Sequence, residues 1–166
     1  DIDAYIKNVL HGEIKFNNGK LEYQGDDNKK FGVGAIANGL KSFAIIKRLL
    51  DNGYMQEDSL FIIDEPEVHL HPEWQLFFAE LLVILQMKLK LKMLITSHSP
   101  YFLQAIEVFS KKYKNSDTVH YYLAERKEDG AIVRNVDNDL DATYKLLAQP
   151  IIKLREMYEA LNDDNR

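Results

Sequence analysis

Two adjacent acids, Asp64 and Glu65, follow directly on the apolar run Leu-Phe-Ile-Ile at residues 60–63. Side chains at the carboxyl ends of parallel strands project into the crevice where α/β sheets bind ligands. One carboxylate there can hold a hydrated Mg²⁺ ion, while its neighbour orients or deprotonates a water molecule. A random pair of acids is more often a solvated strand end, but the apolar run leading into this pair favours a functional site.

A histidine, His98, follows a second apolar run and lies in the polar turn at residues 96–100. An imidazole at such a strand end can hydrogen-bond a terminal phosphate. Ser99 before Pro100 is also a good helix cap, so the turn has a purely structural interpretation as well. Consecutive strands of a strand-helix-strand unit are usually neighbours, which predicts that His98 lies beside the two acids.

Two strand-helix units must position these side chains. Residues 60–63 are wholly apolar, which is typical of a parallel strand buried on both faces, and residues 93–96 repeat the pattern. Pro72 and Pro100 each open a helix at its first position. The sequence therefore predicts an α/β fold with parallel strands flanked by helices. The first helix is predicted to bury one face, formed by Trp74, Phe77, Phe78, Leu81, Ile84 and Leu85.

The segments before this unit are predicted from their turn residues and their periodicity. Residues 12–23 alternate apolar and polar positions around a turn at 17–19, which indicates a β-hairpin. Residues 24–30 are polar and predict an exposed loop. A helix of about four turns is predicted to follow Gly39 and to end near Gly53.

The segments after it are predicted as two further strands and a helical end. The strands cover residues 118–125 and 131–136. Residues 140–166 are helical in pattern, with an interruption predicted at Pro150, which lacks a backbone donor. We expect a single domain over residues 1–166, in three parts at 1–34, 35–113 and 114–166.

Composition restricts the class of protein. The chain has 166 residues, of which 46% are hydrophobic and 28% charged, which is ordinary globular usage. A net charge of -5 provides no basic field to recruit nucleic acid, and zero cysteines exclude a disulfide framework or a thiolate zinc site. The first residues lack the basic start and apolar block of a signal peptide. We therefore expect a cytoplasmic protein that does not enter the membrane.

Three motifs resemble those of the ABC-type ATPase heads, in particular the prokaryotic ATPases grouped with the overcoming-lysogenization-defect proteins and the SMC-like repair ATPases. "LFIIDEPEVHLHPEWQ" looks like their Walker B strand and the loop after it. "MLITSHSPYFLQAI" resembles their switch-histidine segment, and "AIANGLKSFAIIKRLL" resembles their signature loop and helix. These motifs stand in the family's order and cover most of residues 36–106.

The resemblance implies a partial P-loop NTPase fold that uses ATP and Mg²⁺. It implies that Asp64 holds the Mg²⁺ shell, that Glu65 polarises the attacking water and that His98 contacts the γ-phosphate. Residues 67–71 correspond to the D-loop, the segment that passes between two ATPase heads.

The signature loop supplies three candidate nucleotide-binding residues, Asn38, Gly39 and Lys41. A glycine before a long helix lets backbone N–H groups and the positive end of the helix dipole approach an anion. Family members commonly have serine where this chain has Ala37 and Asn38. The Asn38 amide can still donate a hydrogen bond, whereas Ala37 cannot. Lys41 alone is more often a solvated helix position.

Two histidines in the D-loop admit two interpretations. The resemblance implies that His69 and His71 are structural and interfacial. The alternative is a metal-dependent hydrolase, since two imidazoles in an extended H-x-H segment can face one ion. Its ligands would come from Asp64, Glu65, His69, His71 and His98.

The phosphate-binding motif G-x-x-x-x-G-K-[ST], or Walker A, is absent from this sequence. Gly19-Lys20 lacks the earlier glycine and the following hydroxyl residue. "GVGAIA" at residues 32–37 fits a dinucleotide pattern but follows no apolar strand, so we reject that interpretation. In the family it resembles, Walker A lies N-terminal to the signature, and the chain is interpreted as the C-terminal half of a head.

The function that the resemblance implies is an ATPase whose ATP-driven head dimerisation operates an effector in DNA repair or phage defence. Its expected partners are the Walker A half of the head, a second copy and an effector such as a nuclease, with DNA as a further candidate ligand of the full protein. The isolated chain is expected to be inactive. The main alternative is a non-catalytic interaction module with a degenerate ATPase fold, and a metal-dependent hydrolase comes third.

Overall fold

The computed structural model describes residues 2–17, 20–25, 30–32 and 38–163. Three small sheets are present in this part of the chain, namely the antiparallel sheet β1-β2-β3, the parallel pair β4-β5 and the antiparallel pair β6-β7. The elements in chain order are α1 (Ile2–Leu10), β1 (Gly12–Asn17), β2 (Lys20–Gly25), β3 (Lys30–Gly32), α2 (Asn38–Asp51), β4 (Leu60–Ile63), α3 (Pro72–Leu89), β5 (Lys92–Ile95), α4 (Pro100–Lys112), a 3₁₀ helix (Ser116–Thr118), β6 (Tyr122–Lys127), β7 (Gly130–Asn135) and α5 (Leu140–Asp163). The mixed α/β architecture with parallel strands and flanking helices is confirmed.

The N-terminal hairpin is confirmed, since β1 and β2 pair antiparallel with Gly12 opposite Gly25. Residues 18 and 19 of its predicted turn lie outside the described residues. The loop predicted over 24–30 is wrong at both ends, because β2 continues to Gly25 and Lys30 begins β3, with 26–29 not described. Strand pairing overrode the polar composition here. Helix α1 was not predicted, and it contributes two buried side chains, Ile6 and Leu10, to the core.

Helix α3 lies at the centre of the molecule. Residues 78–85 are all buried, so the prediction that this helix buries a single face is too narrow. A helix buried around its whole circumference must be covered from several sides, and α1, α2 and α4 all pack against α3. On the α2 side, Phe43 meets Trp74 and Phe78 edge to face.

One charged residue, Glu80, is buried within this central segment and joins three helices. Its carboxylate accepts hydrogen bonds from Tyr5 Oη of α1 at 2.9 Å, from Lys112 Nζ of α4 at 2.6 Å and from Tyr113 Oη at 2.7 Å. Burial by itself would raise the pKa of Glu80, but the three donors outweigh it and leave the pKa lowered. Glu80 is therefore a satisfied buried acid with a structural role.

We expect Glu80→Ala to destabilise the fold by roughly 2–4 kcal/mol, because removing one partner of a buried charged network leaves its donors unpaired. Chemical unfolding followed by circular dichroism measures the loss. The matched control is Glu73→Ala, an exposed acid in the first turn of the same helix, which should change stability by less than about 0.5 kcal/mol. Equal losses in the two variants would contradict the structural role.

The parallel pair β4-β5 is buried on one face only. Phe61, Ile63, Met93 and Ile95 pack against the helical core. The alternate side chains are exposed: Leu60 by 67%, Ile62 by 62% and Leu94 by 56%. The prediction that β4 is buried on both faces is therefore wrong for this chain, because the helices pack against one side of the pair and the other side remains apolar and uncovered.

The C-terminal part contains the predicted strand pair and one long helix. Just after β7, Asp137 meets residues that precede β6, and the backbone N–H of Tyr121 and the side chains of Asn135 and His120 lower the pKa of Asp137 to about 2. The predicted interruption at Pro150 is wrong, because α5 runs through it without a break. Residues 149–162 are exposed, so water can reach the backbone groups that proline leaves unbonded.

Among the described residues, no helix combines the length and apolar character needed to cross a membrane.

Candidate functional site

The site is built at the carboxyl ends of β4 and β5, which end together. The two strands are parallel and in register, with Leu60 opposite Lys92 and Ile63 opposite Ile95. Their pairing continues past the strands, since Thr96 N donates to the carbonyl of Ile63 at 3.1 Å. Because the segments leave the sheet side by side, the side chains that follow them lie at one edge. This is the edge at which α/β sheets bind ligands.

Glu65 and His98 meet at this edge. The distance from His98 Nε2 to Glu65 Oε1 is 3.1 Å, although the two residues are 33 positions apart in sequence. The His98 side chain is 83% exposed and that of Glu65 is 40% exposed. The expectation that His98 lies beside the acids, which followed from neighbouring strands alone, is confirmed. The arrangement gives an imidazole and a carboxylate that can act on one ligand from the same edge.

Asp64 is held by a residue of the neighbouring strand end. Its Oδ1 accepts a hydrogen bond from the hydroxyl of Thr96, and the Glu65 N–H donates both to Thr96 Oγ1 at 3.1 Å and to Thr96 O at 3.2 Å. One threonine thus joins the two acids to β5. Asp64 is exposed to solvent and oriented, which suits a carboxylate ligand of Mg²⁺, an ion that takes one or two carboxylates together with phosphates and water. The donor set at this edge therefore fits the implied metal.

The backbone turns sharply at Glu65. Pro66 follows Glu65, and a following proline disfavours the right-handed helical region. Glu65 instead has φ of 43°, a left-handed conformation that is uncommon for residues with a side chain. Because of this turn, the backbone no longer follows the direction of β4 after Asp64. Such strained residues cluster at functional sites, where surrounding contacts maintain them, and here those contacts come from Thr96.

Two residues of the site were missed by sequence reasoning, Thr96 and Glu67. In the sequence, Thr96 is one residue of the polar turn at 96–100. Its position at the end of an apolar strand, beside the acids that follow β4, is the feature that could have identified it. Glu67 is 4% exposed, and its Oε1 accepts from Ser97 Oγ at 2.6 Å, linking the D-loop (residues 67–71) to the turn that carries His98. Nothing local in the sequence distinguishes it from the other acids nearby.

The two D-loop histidines differ in their surroundings. His71 Nδ1 accepts from the backbone N–H of Glu73 at 3.4 Å and so caps α3. His69 is exposed and has φ of 71°. Within the described residues, which include all five proposed ligands, no three acids or histidines come together as a metal site. The metal-dependent hydrolase therefore has no ligand cluster to support it.

The signature residues lie at the start of α2. Asn38 is its first residue, Ala37 lies outside the described residues, and Lys41 is partly buried. Gly39 packs against the D-loop, where a Cβ added to it would approach Leu70 Cδ2 at 3.0 Å. Leu70 would therefore have to shift by a few tenths of an ångström to admit a larger residue at position 39. The nucleotide contacts of Asn38, Gly39 and Lys41 stay predictions.

The family described as "AAA domain, putative AbiEii toxin, Type IV TA system" matches residues 24–104 of this chain. That segment contains the signature and Walker B motifs and the switch-histidine segment as far as residue 104. No curated protein matches the chain.

Three solved structures share the fold. A chain from work on ATP-driven dimerization and DNA-stimulated activation of SMC ATPases superposes with a TM-score of 0.65 at 10% identity, over 89% of this chain and 87% of that one. The SMC head domain from Thermotoga maritima gives 0.58 at 11% identity, over 81% of this chain and 45% of that one. The Pyrococcus furiosus Smc head domain with an extended coiled coil, bound to the C-terminal domain of ScpA, gives 0.58 at 11% identity, over 89% and 36%.

The comparisons define the fold class of this protein. The chain has the fold of the ABC-type, SMC-like P-loop ATPase heads, and its α/β architecture is part of the P-loop NTPase fold. The chain spans less than half of the length of two of the SMC head chains that it resembles.

Proposed function

We propose that this chain is the part of an ATPase head that binds Mg²⁺ and activates water for ATP hydrolysis. The observation that supports this most directly is the 3.1 Å approach of His98 to Glu65 beside an exposed, oriented Asp64. Phosphoryl transfer requires little covalent chemistry from a protein; it requires a held metal, a positioned water and stabilised phosphate charge. These three requirements correspond to three side chains at one edge.

Each side chain has a role that its geometry permits. Asp64 anchors the Mg²⁺ shell, and the ion, when bound, neutralises charge on the phosphates. Glu65 accepts a hydrogen bond from the attacking water and orients it toward the γ-phosphate. His98 donates to a γ-phosphate oxygen from Nε2, the nitrogen that lies at Glu65 in this structure. Asn38, Gly39 and Lys41 are proposed to contact the nucleotide bound by an opposing head.

The uncovered face of β4 and β5 supports the proposal that a further part of the head packs here. Leu60, Ile62 and Leu94 form an apolar surface on adjacent strands, with Ile62 directly opposite Leu94. Parallel sheets are normally covered on both faces, because their connections place helices on each side. We propose that a Walker A segment covers this surface. The complete head then means this chain together with that segment.

The assembly proposed for the complete head is a homodimer with ATP between two heads. ATP-driven dimerization is named for the SMC ATPases whose fold this chain shares. We propose that dimerisation controls an effector, such as a nuclease, in DNA repair or phage defence in the cytoplasm, with DNA as a possible ligand of the whole protein.

The isolated 166-residue chain is expected to show no Mg²⁺-dependent ATP hydrolysis above background, because it lacks the backbone cradle and lysine of Walker A. The complete head is expected to hydrolyse ATP. Phosphate release, measured for both with and without Mg²⁺, tests this. Turnover by the isolated chain would contradict the half-site interpretation. An inactive complete head that still forms its protein contacts would favour the non-catalytic interaction module, for which Ala37 in the signature loop is the sequence support.

A further inference from the structure

The Glu67 carboxylate is hydrogen-bonded to the turn that carries His98. Its Oε1 accepts three hydrogen bonds: from Ser97 Oγ at 2.6 Å, from His98 N at 3.1 Å and from Ser99 N at 3.3 Å. The side chain is 4% exposed, so these bonds are made away from bulk water. A carboxylate that accepts from backbone N–H groups forms stronger bonds than a neutral acceptor. Three consecutive residues, 97–99, are therefore all bonded to a single oxygen atom of Glu67.

His98 depends on its backbone for its position. Its side chain is 83% exposed and has little packing to fix it, so the turn must supply the order. The turn is fixed at one end by β5 and at the other by α4, where Ser99 Oγ accepts from Phe102 N at 3.2 Å. Between these ends, Glu67 is the side chain that binds the His98 backbone directly.

The second oxygen of Glu67 takes no part in holding the turn. Oε2 is buried and has no hydrogen-bond partner among the described residues. A buried carboxylate with an unmet oxygen costs free energy, and an apolar side chain of similar volume is often as stable or more stable. An unsatisfied buried acid beside a functional turn calls for a functional explanation.

We propose that Glu67 is a positioning residue for ATP hydrolysis, which holds the backbone of residues 97–99 so that His98 Nε2 is presented at Glu65 and at the γ-phosphate. The inference rests on the proposed ATPase function. Glu67 acts through His98 and touches neither the nucleotide nor the attacking water. Its contribution is geometric, and misplacement of a catalytic group by about 1 Å can cost roughly 100-fold in rate.

A double-mutant cycle in the complete head tests the proposal. Glu67→Ala is expected to lower kcat roughly 10–100-fold with KM for ATP within about 2-fold, because the donors of the turn lose their acceptor. Glu67→Gln keeps an acceptor oxygen and should stay within about 3-fold of the wild type. In a His98→Ala background, Glu67→Ala should cause no further loss, because residues that act as one unit are not additive.

A purely structural role would predict a different cycle, in which Glu67→Ala lowers kcat further when His98 is already absent. That result, or an unchanged kcat in Glu67→Ala, would overturn the proposal. A Gln variant as slow as the Ala variant would contradict the acceptor role. Glu73→Ala, an exposed acid on α3, is the matched control. Should Glu67→Ala fail to fold, Ser97→Ala replaces it in the cycle, since it removes one of the three donors.

Amide hydrogen exchange separates this inference from the proposed function. In the complete head, Glu67→Ala should speed exchange at the amides of His98 and Ser99, while Glu67→Gln should leave both slow. If the wild-type head fails to bind and hydrolyse ATP, the proposed function fails, and the exchange data still decide whether Glu67 holds the turn. Unchanged exchange at both amides would overturn the inference whether or not the head hydrolyses ATP.

Discussion

Glu65→Gln in the complete head is expected to lower kcat for ATP hydrolysis by roughly 10²–10⁴-fold, the usual contribution of a group that activates water. Glutamine keeps the shape of the side chain and can still hydrogen-bond His98, whose Nε2 lies 3.1 Å from Glu65 Oε1. It loses the carboxylate that orients the attacking water. The Mg²⁺ contact of Asp64 and the phosphate contact of His98 remain, so ATP binding should persist and the two heads should stay paired.

Steady-state phosphate release measures the first effect, and light scattering with and without ATP measures head pairing. Glu128→Gln is the matched control, because this exposed acid lies in the turn between β6 and β7 and should leave both quantities unchanged. If Glu65→Gln retains more than about a tenth of the wild-type kcat, the group that activates water is not Glu65.

The double substitution Ile62→Glu and Leu94→Glu is expected to weaken strongly the binding of this chain to the Walker A segment. The two residues lie opposite each other on β4 and β5 and are exposed here by 62% and 56%. A charge buried without a partner costs several kcal/mol, so two should weaken association by more than about 100-fold. Because both side chains are exposed in this chain, its own stability should change little.

Titration calorimetry with a separately expressed Walker A segment measures the affinity, and thermal unfolding checks that the variant is folded. Val108→Glu is the control, since this apolar residue is 53% exposed but lies on α4, away from the strand face. A folded double variant that binds with wild-type affinity would show that the Walker A segment covers another surface.

The strand-helix units were predictable because their signals are local. A wholly apolar run and a proline at the first helical position place β4, α3, β5 and α4 in order. Adjacency of consecutive strands then brings His98 to Glu65, although nothing in either motif alone requires it. Helix α1 and strand β3 escaped prediction, because the first is short and the second is only three residues long. In both cases tertiary contacts, more than local pattern, maintain the element.

Burial was predicted less well than secondary structure. The four apolar residues of β4 are compatible with a strand that is covered on both faces or on only one. The sequence pattern does not indicate what packs against each face. The full burial of α3 at residues 78–85 likewise depends on neighbours that are distant in sequence. Helix α5 continues through Pro150 because the residues around it are exposed to solvent. Local helix propensity carries no information about that exposure.

The sequence by itself determined the motif order, the two strand ends that carry Asp64, Glu65 and His98, and the class of chemistry that these side chains can perform. Only the tertiary structure decided that Thr96 joins the two acids to β5 and that Glu67 is hydrogen-bonded to the turn around His98. These bonds connect residues about 30 positions apart, so their existence depends on how β4 and β5 pair and where the D-loop folds back. Local residue preferences set the elements, and long-range packing set the contacts between them.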